Sequence, residues 1–197
     1  GSPPHEFSRP GSLFLQDVLR ILVHKTGLDA TRDVMRFLPE TQLNFGTACS
    51  GTDSPVFVIA ALRDLFGKSG LPIHMHHAFS CERDQRKQKW IQAACPELTT
   101  LFGDITGLCQ RTALNVMSGK LEPVPDVTIF IAGFSCKDVS DLNPNQSGHG
   151  GYVSLADGTT GITFDGVLGY VLLHNPKFII LENVMGLATS SNGDNLG

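Results

Sequence analysis

The sequence has no long apolar run, no paired cysteine motif and no excess of basic residues. No apolar run approaches the ~20 residues of a membrane-spanning helix and no signal peptide is recognisable, so we expect an intracellular protein without a membrane partner. The five cysteines are an odd set without a CxxC pair, which favours a reducing compartment over a disulfide framework. The net charge of −4 provides no general attraction to nucleic acid, so a polyanion would need a local patch or another part of the protein.

The composition, with 41% hydrophobic and 17% charged residues over 197 positions, is sufficient for one globular domain with a sizeable core. Residues 1–7, GSPPHEF, resemble a cloning scar. Residues 8–40 have the apolar spacing of a helical segment, and residues 41–197 then form the main domain.

From residue 41 onward, strand-like and helix-like segments alternate, which predicts an α/β fold with a mostly parallel sheet covered on both faces. The predicted strands are LNFGTAC (43–49), IHMHHAFS (73–80), a short one in TTLFGD (99–104), VTIFIA (127–132) and KFIILE (177–182). The predicted helices begin at Ser54 and within DQRKQKWIQAAC (84–95) and FDGVLGYVLLHN (164–175), with a weaker helix near Thr112 to Met117.

Polar and small residues follow the first three predicted strands, at the sheet edge where ligands of parallel sheets bind. The first strand ends in ACSGTD, where small residues allow a ligand to approach the backbone. Glu82 follows the second strand and is placed to accept hydrogen bonds from ribose hydroxyls, and Asp104 follows the third. Each feature alone has another explanation: ACSGTD could be a tight turn, Glu82 a charge at a helix N-terminus, and Asp104 a loop or capping aspartate. Three such features in successive units favour a nucleoside-type ligand.

A cysteine and a carboxylic acid follow the last two predicted strands. Cys136 lies in IAGFSCKDVS, directly after an apolar run, and Glu182 and Asn183 follow KFIIL. A cysteine with polar neighbours at a strand end can act as a nucleophile, whereas a structural cysteine is expected within the apolar run. The alternatives are an incidental loop thiol and a solvated strand-end charge. Beside a nucleoside site, the thiol and the acid form a chemically useful pair.

The segments ACSGTD, CERD, FGDI, GFSCKDVS and LENVMGL together resemble the DNA cytosine-5 methyltransferases in their order and approximate spacing, from about Leu43 to Leu187. The resemblance implies a three-layer, Rossmann-like methyltransferase core that is truncated before the target-recognition domain. It implies S-adenosyl-L-methionine as cofactor and DNA as partner. The implied reaction is methyl transfer to C5 of a flipped-out cytosine through a cysteine–C6 adduct, and a protein of this kind is nuclear if the source is eukaryotic.

The resemblance also implies a role for individual residues. Cys136 would attack C6, and Glu182, with Asn183 beside it, would hydrogen-bond or protonate N3, which absorbs the developing charge. Ser50 and Gly51 would contact the methionine portion of the cofactor, Glu82 the ribose, and Asp104 and Ile105 the adenine. The full set of cofactor-binding candidates is Cys49, Ser50, Gly51, Thr52, Asp53, Glu82, Arg83, Asp104, Ile105 and Ser135.

The sequence departs from the usual family pattern at several positions. Ser135 and Lys137 replace a proline and a glutamine beside the cysteine, Asp53 replaces the second glycine of the first loop, and Cys49 replaces an aromatic residue. The Gln-x-Arg-x-Arg segment of the family is absent, and DQRKQK (84–89) is interpreted as a solvated helix face.

Two other functions remain open at this point: a transfer RNA cytosine-5 methyltransferase, and a non-catalytic module that binds the cofactor or a partner. No metal site is expected, because strand alternation sends His77 to the opposite face from His74 and His76. The uncharged run Phe178 to Leu181 is expected to form a sheet edge that self-associates or is covered by the N-terminal helices.

Overall fold

The computed structural model describes residues 43–68, 74–134 and 159–183. The predicted N-terminal helical segment and both residues of the Ser135–Cys136 pair lie outside these ranges. No helix in the described ranges is long and apolar enough to cross a membrane. The elements in chain order are β1 (Leu43–Ala48), α1 (Ser54–Lys68), β2 (Met75–Cys81), α2 (Gln85–Ala94), β3 (Leu101–Phe102), a 3-10 helix (Ile105–Cys109), β4 (Thr112–Asn115), β5 (Lys120–Pro123), β6 (Ile129–Ala132), α3 (Thr159–His174) and β7 (Phe178–Leu181).

The seven strands form one sheet in the order β5-β4-β3-β2-β1-β6-β7. The pairs β1–β6, β2–β3 and β6–β7 are parallel, and β3–β4 and β4–β5 are antiparallel. The predicted α/β fold with a mostly parallel sheet is therefore confirmed. The chain continues from β1 to β2 on one side, whereas β6 lies on the other side of β1. Such a reversal of strand order creates the crevice in which ligands of open α/β sheets bind.

The described chain divides into two compact units. The first contains Leu43 and the described parts of residues 55–76, which include most of α1. The second contains residues 44–54 and the described residues from 77 onward. The sheet edge and the polar residues discussed below belong to the second unit.

The core of the second unit is built around an aromatic cluster. Phe79 on β2 meets the ring of Phe102 on β3 edge-to-face at 5.8 Å, and Phe130 on β6 packs at 4.2 Å from Tyr170 on α3. All four rings are fully buried. The hydroxyl of Tyr170 donates a hydrogen bond to the carbonyl of Pro125 at 2.8 Å, so the buried polar atom is satisfied. This cluster fixes α3 against β2 and β6.

The predicted weak helix near Thr112 to Met117 is wrong, because these residues form β4 and the start of a β4–β5 hairpin. Ala113 and Asn115 are buried while Thr112 and Leu114 are exposed, which is the period of two of a strand. The Asn115 side chain also fixes the hairpin to β3. Its Oδ1 accepts from the N–H of Leu101 at 3.2 Å, and its Nδ2 donates to the carbonyl of Thr99 at 3.0 Å. A four-residue strand is too short for its period to be distinguished from that of a helix.

Candidate active site

The carboxyl ends of β1, β6 and β7 lie side by side. Ala48 pairs with Ala132, and Ala132 pairs with Leu181. The hydrogen-bond ladder continues beyond the strands, since the N–H of Gly133 donates to Ala48 at 3.0 Å and the N–H of Glu182 donates to Ala132 at 2.9 Å. This register brings the loop after β1, the segment after β6 and the acid after β7 to one edge of the sheet.

The loop after β1 is a tight turn with unusual backbone angles. Cys49, Gly51 and Asp53 have φ values of 55°, 67° and 61°, all in the left-handed region. Glycine adopts this region freely, whereas a side chain makes it unfavourable. The N–H of Asp53 donates to the carbonyl of Ser50 at 3.2 Å and closes the turn. The conformation at Cys49 and Asp53 must therefore be stabilised by surrounding contacts.

The loop after β1 and the starts of the segments that follow β2 and β3 surround a small pocket. Its volume is about 90 Å³. Four predicted cofactor residues line it, together with one residue of β2 and two of α3 that the sequence interpretation missed. The lining residues are Cys49, Arg83, Asp104, Ile105, Cys81, Ile162 and Thr163.

Glu82 lies at the end of β2, next to this pocket, and is only 7% exposed. Its Oε1 accepts a hydrogen bond from the N–H of Asp84 at 2.9 Å, and its carbonyl accepts from Nε2 of Gln88 at 2.6 Å. These contacts fix both the backbone and the carboxylate at the start of α2. Within the described residues the second carboxylate oxygen, Oε2, makes no hydrogen bond. Glu82 therefore presents a fixed acceptor.

Two of the cysteines at the site are poor nucleophiles. Burial raises the pKa of Cys49 to about 12, and the negative charges of Glu82 and Asp104 add to this effect. Burial likewise raises the pKa of Cys81 well above that of an ordinary thiol. Both side chains are therefore neutral thiols at neutral pH, and a thiol is far less reactive than a thiolate. Their contribution to the site is the shape and polarity of the pocket wall.

Glu182 is exposed, and its carboxylate lies over the backbone of Gly133. A Cβ atom at Gly133 would be 3.1 Å from Oε2 of Glu182 and 3.4 Å from the carbonyl oxygen of Cys49. The missing side chain at Gly133 thus allows the carboxylate to approach the loop after β1. Beside it, Nδ2 of Asn183 donates a hydrogen bond to the carbonyl of Phe134 at 3.0 Å. Asn183 therefore holds the chain two residues before Cys136.

The model of the C-5 cytosine-specific DNA methylase family matches residues 63–197, more than half of the chain. The chain belongs to this family. The predicted family membership is confirmed, and the fold described above is consistent with the Rossmann-like core of such a methylase.

Three relatives have names that agree with this family. DNA (cytosine-5-)-methyltransferase DMT5 of Cryptococcus neoformans var. grubii is 36% identical over 154 residues, which cover 77% of this chain and 6% of the relative. DNA (cytosine-5-)-methyltransferase DMT5 of Verticillium dahliae is 24% identical over 208 residues, covering 83% of this chain and 9% of the relative. The type II methyltransferase M.BsuFI of Bacillus subtilis is 34% identical over 71 residues, covering 36% of this chain and 15% of that protein. The chain thus spans a small fraction of the length of each relative.

Lys87 is a residue close to the loop after β1 that the sequence interpretation missed. Asp84 caps α2 by accepting from the N–H of Arg86 at 2.8 Å and of Lys87 at 3.4 Å. In this first turn of α2, the ammonium of Lys87 lies 3.9 Å from where a Cβ of Gly51 would be. The charge run 84–89 suggested only a solvated helix face. The position of this charge run could have indicated a role at the site, because α2 begins three residues after Glu82, at the ligand-binding edge of the sheet.

Asp53, predicted to bind the cofactor, is fully buried and does not line the pocket. Its carboxylate instead accepts hydrogen bonds from Ser50 and Ser80. Among the described residues, no group of three or more His, Cys, Asp or Glu side chains is placed to hold a metal ion.

Proposed function

We propose that this chain carries the cofactor site and the catalytic cysteine of an enzyme that transfers a methyl group from S-adenosyl-L-methionine to C5 of cytosine in DNA. The observation that carries the proposal is the convergence of three features at one sheet edge: the pocket after β1, the Glu182 carboxylate, and the segment leading to Cys136. The names of the relatives support DNA as substrate, and they do not favour RNA or a non-catalytic module. We place the protein inside the cell, in the nucleus if the source is eukaryotic.

The residues around the pocket fit S-adenosyl-L-methionine in chemical type. Oε2 of Glu82, which makes no hydrogen bond with the part of the chain that the structure describes, is available to a ribose hydroxyl, and Ile105 and Asp104 offer an apolar surface and an acceptor to the adenine. The ammonium of Lys87, beside Gly51, suits the carboxylate of the methionine portion. Ser50, Thr52, Arg83 and Ser135 complete the proposed set.

When bound, the cofactor supplies an electrophilic methyl group; the residues of the chain make the cytosine reactive towards it. The Cys136 thiolate attacks C6 of a flipped-out base, which saturates the 5,6 bond and makes C5 nucleophilic. Glu182 donates a hydrogen bond or a proton to N3 and so stabilises the charge that develops on the ring. After transfer, C5 loses its proton and the C6–sulfur bond breaks, which restores both the ring and the thiolate. Asn183 is a positioning residue in this scheme, because it holds Phe134 next to the cysteine segment.

We expect Glu82→Ala to weaken cofactor binding by about tenfold or more, since hydrogen bonds to a charged group contribute ~1.5–3 kcal/mol. Calorimetric titration of the chain with S-adenosyl-L-methionine measures the affinity directly. Glu97→Ala is a matched control, because Glu97 is an exposed acid that precedes β3 at the opposite end of that strand from Asp104. Equal affinities of the wild type and Glu82→Ala would remove Glu82 from the site.

We also propose that β7 makes contact with a further polypeptide segment. It lies at one edge of the described sheet, and its four side chains are 43–56% exposed. An uncharged edge strand recruits another strand readily. Self-association through β7, or its coverage by the N-terminal segment 8–40, is the expected outcome. Light scattering that shows a monomer, combined with fast amide exchange along 178–181, would contradict both versions.

A further inference from the structure

A buried polar network lies beneath the loop after β1. The carboxylate of Asp53 is 0% exposed and accepts a hydrogen bond from the hydroxyl of Ser50 at 2.7 Å. Its other oxygen accepts from the hydroxyl of Ser80 on β2, which is 1% exposed. The carboxylate thus links the start of the loop to a neighbouring strand 27 residues further along the chain. Buried carboxylates are unfavourable unless paired in this way.

The network continues beyond Ser80. Because the Ser80 hydroxyl donates to Asp53, its oxygen can accept, and it does so from the hydroxyl of Thr47 at 3.3 Å. Nε2 of His77 lies 3.1 Å from the same oxygen and 3.9 Å from Oδ2 of Asp53. The imidazole of His77 stacks on the ring of Phe45 at 4.7 Å and is thereby held in place. The carboxylate is therefore attached to groups that are themselves fixed in the sheet.

The backbone conformation of Asp53 indicates what this network stabilises. Its φ of 61° is the left-handed conformation that glycine adopts most readily, and the usual family pattern has a glycine here. Aspartate tolerates this region better than most residues, but its backbone is less favourable there than that of glycine. What aspartate adds is a carboxylate that accepts hydrogen bonds from Ser50 and Ser80, which glycine cannot do. Through Ser50, the carboxylate fixes the short turn whose first residue, Cys49, forms part of the pocket wall.

We propose that Asp53 and Ser80 are positioning residues for the cofactor: they hold the turn from Cys49 to Asp53 in its binding conformation without touching the ligand. This inference rests on the proposed function, since it assigns the turn to S-adenosyl-L-methionine. Where the usual family pattern has a flexible glycine, this chain has Asp53, whose carboxylate is hydrogen-bonded to Ser80 on β2. The turn is accordingly formed before the cofactor arrives, and less conformational entropy is lost on binding.

The test is steady-state kinetics of the complete protein with Asp53→Gly and Ser80→Ala. Asp53→Gly relieves the backbone strain and removes only the carboxylate, so a purely conformational role of residue 53 predicts an unchanged or lower KM. If the Asp53 carboxylate positions the turn, its hydrogen bonds with Ser50 and Ser80 are lost in Asp53→Gly. The KM for S-adenosyl-L-methionine is then expected to rise about tenfold, with kcat unchanged. Ser80→Ala should raise KM in the same direction while leaving the loop sequence intact. Asp53→Asn, which keeps an acceptor for Ser80 and tolerates the left-handed region, should give an intermediate KM and provides a second variant if Asp53→Gly does not fold.

Tyr170→Phe is the matched control, because it also removes a buried hydroxyl of the core but one that binds Pro125, away from the loop. Its KM should equal that of the wild type. Values of KM in Asp53→Gly and Ser80→Ala equal to that of Tyr170→Phe would overturn the inference and leave the proposed function standing. A wild-type protein that neither binds the cofactor nor transfers methyl groups would overturn the proposed function, and the positioning role with it.

Discussion

Methyl transfer by the complete protein is expected to fall by about 10²–10⁴-fold in Glu182→Gln, the range over which positioned proton donors act. Glutamine preserves the size of the side chain beside Gly133 and leaves the Asn183 contact with Phe134 intact. It cannot donate a proton to N3 of cytosine, and its amide is a weaker donor than a carboxylic acid. The loss should therefore appear in kcat, measured with labelled S-adenosyl-L-methionine on duplex DNA, with little change in KM for the cofactor.

A matched control for this substitution is Glu97→Gln, which makes the same chemical change at an exposed position before β3. Its activity should equal that of the wild type. A Glu182→Gln protein that keeps full kcat would show that the acid after β7 does not take part in the reaction. A change confined to the cofactor KM would instead assign Glu182 to cofactor binding, and the proposed role at N3 would be wrong.

Gly46→Ala is expected to destabilise the chain by about 1–3 kcal/mol or more through overpacking. A Cβ atom at this position would lie 2.5 Å from Cζ and 2.9 Å from Cδ1 of Phe79, far inside contact distance. The ring cannot move aside, since it is fully buried between Phe102, Phe130 and Tyr170. Urea unfolding followed by circular dichroism measures the loss as a lower midpoint.

Two further variants identify the cause of that loss. In a Phe79→Leu background the added methyl group has room, so Gly46→Ala should cost less there than in the wild type, as a double-mutant cycle would show. Gly67→Ala is the matched glycine control, because it lies within α1 and a Cβ there has no neighbour within 4 Å. It should stabilise the helix by about 0.5–1 kcal/mol. Equal destabilisation by Gly46→Ala in both backgrounds would contradict the overpacking explanation.

The arrangement of the main strands could be predicted because their apolar runs are bounded by polar turns, as in 127–132 and 177–182. The convergence of Glu82, Asp104 and Glu182 at one edge then followed from the rule that parallel strands end together. Applying that rule requires only the order of the strands and helices along the chain. It requires no knowledge of side-chain packing, so the convergence could be predicted from the sequence.

The remaining features depend on contacts between distant residues. Asp53 follows Ser50 and Gly51 in an apparently exposed turn, and its burial results from Ser80, 27 positions away. The β4–β5 hairpin is stabilised by Asn115, whose partners at Thr99 and Leu101 belong to the preceding strand region. Neither pattern is local, so neither residue carries a signal in its own segment.

Covalent trapping on DNA that contains 5-fluorocytosine tests directly whether Cys136 is the nucleophile of a cytosine-5 methyltransferase. Fluorine at C5 blocks the elimination step, so the complete protein with S-adenosyl-L-methionine should remain bonded to the DNA and migrate as a denaturation-resistant complex. Cys136→Ser should form none, while Cys109→Ser, a change at an exposed cysteine in the 3-10 helix, should trap like the wild type. A complex that persists in Cys136→Ser, or a wild-type protein that forms none while transferring methyl groups to DNA, would show that Cys136 is not the nucleophile.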